Sequence, residues 1–390
     1  MTTPIQGTIP RVAVLVETAT MWGRQIVTGI QNYARKHGPW QTFIEPRGAE
    51  ERMWLPPGWR GEGIIARIGR RPMVREVKAT RLPIVNVSGI RLPGADFPRV
   101  TTDLAASGEL AAAYYLDRGY RSFAYFSLTG LPYVAVHRQA FAGALKRAGG
   151  ACAVYAVRPR HGAEPDWNLD LARLGEWLRA LPRPLAVLTW NYSSSREVLY
   201  ACEAAGLLVP EDVAVLCGSD DDLLCELSHV PLSGIRTPAE QIGHRAAAML
   251  DALMRGGRPR PDPVLIPPLG ITTRQSTDTL ALRDAVLSRA MSFIHENAAR
   301  PIRVNDVAAH VGVSRRLLEM KFSAALHRPP AEEIRRTRLE RAKELLHRTD
   351  MAIPAVAEAT GFGSPEYLSH VFRTALGCTP LRYRRDARSR

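Results

Sequence analysis

The feature that most constrains this chain is a duplication near its carboxyl end. Val307, Ala308 and Gly312 recur 49 positions later as Val356, Ala357 and Gly361. After a one-residue insertion, Ser314, Leu318, Phe322, Ala325, Leu326 and Pro330 recur 50 positions later as Ser364, Leu368, Phe372, Ala375, Leu376 and Pro380. Each copy reads as an apolar helix closed by a glycine that accepts a left-handed turn, then a serine able to cap a second helix. Leucine and phenylalanine four apart then mark the buried face of that second helix. This is the pattern of a helix-turn-helix unit, present twice. In the second copy Pro365 suits a first helical position and Glu366 suits the dipole of a first turn.

Both second helices are candidates for a DNA major groove. With Leu317, Leu318 and Phe322 inward, the first exposes Arg315, Arg316, Glu319, Met320 and Ser323, and the second exposes Glu366, Ser369, His370 and Arg373. Arginine can fork onto guanine, glutamate can accept from cytosine, and Met320 can only make apolar contact. The bland reading of each is an ordinary solvated helix face. Between the units, 331–346 reads as an amphipathic connector with Arg335, Arg336, Arg338, Arg341 and Lys343, some paired with Glu332, Glu340 and Glu344. Such a connector can set two recognition helices one DNA turn, about 34 Å, apart. Lys321, Arg382 and Arg384 are placed to meet phosphates. The charge agrees: residues 282–390 carry a net +8 of the chain's +14.

In front of this region the pattern changes. Short β-branched runs at 12–16, 63–68, 84–87, 123–126, 185–189 and 213–217 alternate with helical periodicity, which predicts an α/β domain with parallel sheets. In such sheets ligands sit beyond the carboxyl ends of the strands, so the loops after strands carry the interest. A proline-rich stretch at 258–268 precedes one more strand, and a polar segment places a linker at 275–284. Beyond it, helices are expected at 285–297, 304–311, 314–325, 331–346, 353–359 and 364–375. The domains are thus an amino-terminal extension 1–10, a sensor 11–274, the linker, and a helical domain 285–390. With 390 residues, 46% of them hydrophobic, there is ample core for two or three domains.

The five cysteines lack a CxxC pair and read as reduced and buried. The amino terminus lacks a basic start followed by an apolar run, and no apolar stretch of about 18 residues is present, so a cytoplasmic protein without membrane contact is expected.

Residues 285–385, including Gly361-Phe362 and the ending with Pro380, Tyr383 and Arg384, resemble the AraC/XylS-type DNA-binding domain. Met320 stands where that family often has a basic residue. The front domain resembles the LacI/GalR-type effector domain, related to periplasmic sugar-binding proteins. The resemblance lies in 209–215 (VPEDVAV), 218–221 (GSDD), 231–236 (PLSGIR), 243–247 (GHRAA) and 97–103 (FPRVTTD), in that family's order over 11–277. That family's usual DNA-binding helices precede its effector domain; here the helix-turn-helix pattern follows it, so DNA binding is expected at the carboxyl end. Arg24-Gln25-Ile26-Val27 and Phe43-Ile44-Glu45 extend the likeness to sugar-operon regulators of this fused type.

The resemblance implies a two-lobed, periplasmic-binding-protein-like α/β sensor followed by an all-α domain with two helix-turn-helix units. It also implies a sequence-specific transcription regulator governed by a small sugar, xylose or a similar pentose. The implied ligand residues are Met21, Trp22, Arg138, Asn191 and Asp220. Plainer physical roles stand beside these: Asp220, Asp221 or Asp222 can cap a helix, and Trp22 can simply cover core. Tyr192 replaces the acidic residue that commonly follows the asparagine. Expected partners are duplex DNA, the sugar and a second copy of the chain, with RNA polymerase as a further one; no cofactor or metal is expected. An enzyme built on Asp220, Asp221, Asp222 and His229 is the rival class, but Walker A, HExxH and GxSxG motifs are missing. A secreted binding protein would share the sensor's pattern but not the basic helices, and a regulator of the same build could answer to a non-sugar effector or to none.

Overall fold

The computed structural model describes residues 9–46, 54–56, 58–128, 132–157, 167–258, 262–278, 284–326 and 328–389. Most of the expected extension 1–10 lies outside them. By its contacts the chain forms two units. Met1–Tyr114 with Arg121–Asp278 make the first, and Thr279–Arg390 with the short piece Tyr115–Tyr120 make the second.

The first unit contains two parallel-sheet lobes. In one, β1 (Arg11–Leu15), α1 (Met21–His37), β2 (Gln41–Phe43), β3 (Gly63–Ala66), α2 (Arg71–Ala79) and β4 (Ile84–Asn86) give a sheet of order β2-β1-β3-β4. A short strand β5 (Val100–Thr102) and helix α3 (Leu104–Asp117) lead to the other lobe. There β6 (Ser122–Leu128), α4 (Pro132–Arg147), β7 (Cys152–Val157), α5 (Trp167–Ala180), β8 (Leu185–Thr189) and α6 (Tyr192–Ala204) alternate. They are followed by β9 (Val213–Cys217), α7 (Asp222–Leu227) and β10 (Ser233–Ile235). The chain then returns through α8 (Ala239–Met254), which packs on α1, and β11 (Val264–Ile266), which pairs with β5, before β12 (Ile271–Thr272) joins the second sheet. That sheet runs β12-β10-β9-β8-β6-β7, and only the β10–β12 pair is antiparallel.

The reason these strands form is burial on both faces. Every residue of β3, β8 and β9 is buried, and each such Val, Leu or Ile contributes roughly 1.5–3 kcal/mol. Three findings differ from the sequence reading. The strands β2, β5, β7, β10 and β11 were not expected, and β11 lies within the proline-rich stretch. The linker expected at 275–284 begins inside the sensor: Gln275–Thr277 is a turn of 3-10 helix whose Ser276 and Thr277 are fully buried. Among the cysteines, Cys202, Cys217 and Cys225 are buried as expected, but Cys152 and Cys378 are only half-buried.

The second unit is helical: α9 (Ala285–Asn297), α10 (Val304–Val311), α11 (Arg315–Leu326), α12 (Pro330–Arg348), α13 (Ile353–Ala359), α14 (Pro365–Leu376) and α15 (Pro380–Ser389). The duplication is visible in its geometry. Gly312 and Gly361 both stop a helix in the left-handed region, at φ 74° and 76°. Ser314 and Ser364 each accept a hydrogen bond from the backbone N–H three residues on, both at 3.2 Å. Leu318 and Phe322 are buried in one core, Leu368 and Phe372 in another. The connector α12 serves both, giving Ile334 to the first and Leu339, Ala342 and Leu346 to the second. It also carries Glu333, fully buried, which binds Arg328 at 2.5 Å and Arg336 at 3.2 Å. Arg336 in turn holds Asp117 at 2.7 Å. Burial opposes ionisation of Glu333, but Arg336 and Arg328 outweigh it and hold its carboxyl below the ordinary range.

Candidate functional site

Polar groups of the first unit gather where the strands end. Glu17, just past β1, is buried and forms an ion pair with Arg67, just past β3. The Arg67 guanidinium lies over the Trp22 ring, 6.0 Å from its centroid. Trp22 also packs on the core between β1 and α8, so it covers core and offers a face at once. Asn86 ends β4; its Oδ1 accepts from the N–H groups of Ile68 and Ser88, at 3.3 and 2.9 Å, while its Nδ2 is buried without a partner.

In the second lobe, Trp190 follows β8 and meets Tyr133 and His137 edge-on, with ring centroids 5.3 and 5.5 Å apart. Tyr133 is raised by burial and feels both Arg67 and Glu17. His137 is fully buried. Its Nδ1 pairs with the Tyr125 hydroxyl at 2.8 Å, and its Nε2 has no partner. Burial pushes its pKa down to about 4, so the ring is neutral. Asp220, three residues past β9, gives Oδ1 to Arg274 at 2.9 Å and leaves Oδ2 buried and unpartnered. The loops of the two lobes touch. The Met21 N–H reaches Asp221 Oδ2 at 3.4 Å, and the Met21 thioether accepts from the Asp222 N–H at 3.2 Å. A groove of about 640 Å³ lined by Trp54, Leu55, Trp59 and Glu76 shares no residue with this cluster.

Of the expected ligand residues, Met21, Trp22 and Asp220 are brought to these strand ends. Asn191 is there too, but its Oδ1 caps α6 by accepting from the Ser194 N–H at 3.0 Å. Arg138 is half-buried beside Tyr125 and Cys152, while the preceding residue, His137, turns toward Trp190. Asp221 caps α7, and His229 stacks on Tyr200 at 5.6 Å, so the carboxylate cluster and this imidazole have structural occupations. Glu17, Arg67, Asn86, Tyr133, His137, Trp190 and Arg274 escaped the sequence reading. All but Tyr133, His137 and Arg274 follow or end a recognisable strand, the signal that marks such positions.

In the second unit, Arg316, Met320, Glu366, His370 and Arg373 are exposed on α11 and α14, with Ser369 half-buried and Met320 61% exposed. Arg315 and Glu319 pair with each other at 2.8 Å. Lys321 binds Asp284, the cap of α9, and Arg384 donates to the Met351 carbonyl, so both have local structural partners as well as any phosphate. Tyr367, 45% exposed on α14, joins this face.

Known proteins share this arrangement. Residues 11–107 match the XylR N-terminal domain, 112–277 the periplasmic binding protein-like domain, and 307–386 the helix-turn-helix domain. A xylose operon regulatory protein of Haemophilus influenzae is 28% identical over 96% of this chain and 98% of its own length. One from Escherichia coli K12 is 28% identical over 96% of both. A solved xylose-binding transcription activator, 28% identical, superposes with a TM-score of 0.62 over 97% of this chain and 98% of its own. These relatives are named as regulators of transcription. Among the described residues no helix is long and apolar enough to cross a membrane.

The neutral His137 sets a pH dependence. The unfolded chain protonates this side chain near pH 6.5, but the folded one does so only near 4. Between these values the unfolded state holds more protons, so stability falls as pH falls, by up to about 1.4 kcal/mol per pH unit. Urea unfolding from pH 7 to 4 should show this loss, and His137→Gln should flatten it. An unchanged slope in the variant would place the loss elsewhere.

Proposed function

We propose that this chain, which belongs to the transcription regulators that join a periplasmic-binding-protein-like sensor to a carboxyl-terminal helix-turn-helix domain, is governed by a small sugar, xylose or a similar pentose, held at the strand ends of the sensor. The observation that carries this is the set of unpartnered buried atoms there: Asn86 Nδ2, a donor; Asp220 Oδ2, an acceptor; and His137 Nε2, either one. A buried polar atom without a partner costs about 1–3 kcal/mol, a cost that a bound polyol removes. The aromatic faces of Trp22 and Trp190 suit the apolar side of a sugar ring. The names of the relatives and of the solved activator agree with a pentose.

A thermal-shift screen with D-xylose, other pentoses and hexoses tests this. A ligand at 100 times its Kd adds about 2.7 kcal/mol of apparent stability. Stabilisation by one pentose, lost in Asp220→Ala, is the expected result. If no sugar stabilises the protein, the effector is not a sugar, and the DNA-binding assignment is unaffected.

On the DNA side we assign base reading first to Arg316 and Arg373, which are exposed on the two recognition helices. Met320 supplies apolar contact beside Arg316. Removing a base-reading arginine costs about 1–3 kcal/mol of specific binding. Arg316→Ala and Arg373→Ala should therefore weaken binding to a site selected from random DNA roughly tenfold or more, with little change on unrelated DNA. Equal loss on both would reduce the two residues to phosphate contacts.

The regulator acts as a homodimer, with ligand favouring one spacing of its DNA-binding helices. The exposed apolar face of α7 supports this pairing: Leu223, Leu224 and Leu227 are 62%, 40% and 73% exposed. Sedimentation should find a dimer that Leu227→Glu dissociates. A wild-type monomer at micromolar concentration, or a dimer indifferent to the substitution, would remove this face from the interface.

A further inference from the structure

Among the described residues of the sensor, Arg274 is the most heavily engaged side chain. It is 9% exposed and touches four acceptors: Asp220 Oδ1 and Asp222 Oδ1, both at 2.9 Å, Glu226 Oε2 at 3.0 Å, and the Leu232 carbonyl at 2.7 Å. Its own backbone is pinned as well, because its N–H donates to Ser233 Oγ at 2.7 Å and its carbonyl accepts from that same hydroxyl at 2.9 Å. The partners differ in kind. Asp222 and Glu226 lie on α7 and are 55% and 68% exposed, so their ties are screened by water and contribute little. Asp220, 2% exposed, depends on the guanidinium for its charge. It packs directly on Gly234: a side-chain carbon there would lie 2.8 Å from its Cβ, so only a glycine leaves room for the carboxylate.

We infer that Arg274 is the positioning residue of the sugar site: it fixes Asp220 by Oδ1 so that Oδ2 stands ready for a ligand hydroxyl, and it ties that carboxylate to the segment by which the chain leaves the sensor. The inference rests on the sugar reading above. The exit is immediate in sequence. Arg274 precedes the 3-10 turn Gln275–Thr277, and the first unit ends at Asp278. That turn is itself locked into the second sheet: Ser276 Oγ donates to the Val215 carbonyl at 2.6 Å, and Thr277 Oγ1 donates to Ser233 Oγ at 2.7 Å. A ligand that loads Asp220 therefore acts on a side chain that joins the site to the exit turn.

Electrostatics supply a readout that packing alone would not move. Burial raises the Asp220 carboxyl, and Arg274 pulls it back without cancelling the rise. The other titratable groups facing it are Asp222, which raises it further, and the Cys217 and Cys225 thiols. Glu226 acts through Arg274. Without the arginine no cation among these groups remains beside Asp220, and it takes up a proton at a higher pH than in the wild type.

The test is calorimetric titration of wild type, Arg274→Met and Arg274→Lys with D-xylose, or with the pentose that stabilises the wild type, from pH 6 to 8.5. Circular dichroism melting checks that each variant folds. Wild-type affinity should vary less with pH across this range than that of Arg274→Met. Arg274→Met should bind at least tenfold more weakly at pH 6 and recover part of the loss by pH 8.5, and Arg274→Lys should restore most of the affinity at every pH. Saturated with sugar, Arg274→Met should also change its operator affinity less than wild type does. Wild-type affinity in Arg274→Met, or a loss independent of pH, overturns the positioning role. A full operator response in the saturated variant overturns the tie to the exit segment. If the wild type binds no sugar at all, the sugar reading fails and this inference with it. Should Arg274→Met not fold, Arg274→Gln takes its place: it must bind more weakly at pH 6 than at 8.5, and a pH-independent affinity in it overturns the proposal.

Discussion

A parallel strand buried on both faces has no place for a polar side chain between its ends, because nothing there can satisfy it. The sensor depends on this constraint. In β8 and β9 every residue is buried and all but Thr189 are apolar or cysteine, and Thr189 is satisfied by the Ser195 hydroxyl at 2.6 Å. Polarity is displaced to the carboxyl ends, where Glu17, Arg67, Asn86, Trp190 and Asp220 follow or end their strands. Chemistry accumulates there because the core forbids it elsewhere. Some of these groups satisfy each other, as Glu17 and Arg67 do, and the unsatisfied remainder defines what a ligand must bring.

The helical unit meets the opposite problem. Each half is too small to bury much by itself, and the connector α12 solves this by lending apolar residues to both cores. Burying Glu333 in that helix is expensive in isolation. Two arginines offset the cost, and the arrangement is rigid in a way that a patch of leucines is not: losing either partner strands a charge, with a penalty of roughly 3–5 kcal/mol. The network ties α12 to Arg328 ahead of it and to Asp117, while its apolar residues join both cores.

The helical half was nearly fully legible because its signals are local. A glycine, a serine three residues or less beyond it, and a leucine–phenylalanine pair specify stop, start and phase, and each did so twice. The sensor was less legible where strands are short or peripheral. The strand β7 pairs with β6 and runs through half-buried and exposed residues, without a continuous buried run; β2, β5, β10 and β11 have three residues each. The site shows the same limit. Arg138 stands out by likeness to a family, and the residue before it, His137, lies on the buried stripe of α4. Val134, His137, Phe141 and Leu145 form the buried stripe of α4, and one step along the helix turns a side chain by about 100°. A histidine within that apolar stripe was visible in the sequence. Arg274 was not, since its importance arises from side chains 41 to 54 residues away that only the sheet brings together.

Net charge and base recognition are different properties, and the helical unit separates them. Its surplus of basic residues predicts attraction to any nucleic acid. Much of that surplus is engaged in holding the fold. Arg338 donates to the carbonyls of Ala298, Arg300 and Ile302, Arg289 to that of His310, and Arg384 to that of Met351. Arg328 and Arg336 serve Glu333, Lys321 serves Asp284, and Arg315 serves Glu319. A guanidinium saturating helix-end carbonyls still contributes its charge to the field that draws DNA in, but it cannot turn to fork onto a guanine without unmaking the fold. On the reading proposed above, specificity falls to the few side chains left exposed on α11 and α14, a short and chemically mixed set that includes Met320, Tyr367, Arg316 and Arg373. A surface so composed offers apolar as well as polar groups to base edges, which the charge of the domain alone does not indicate.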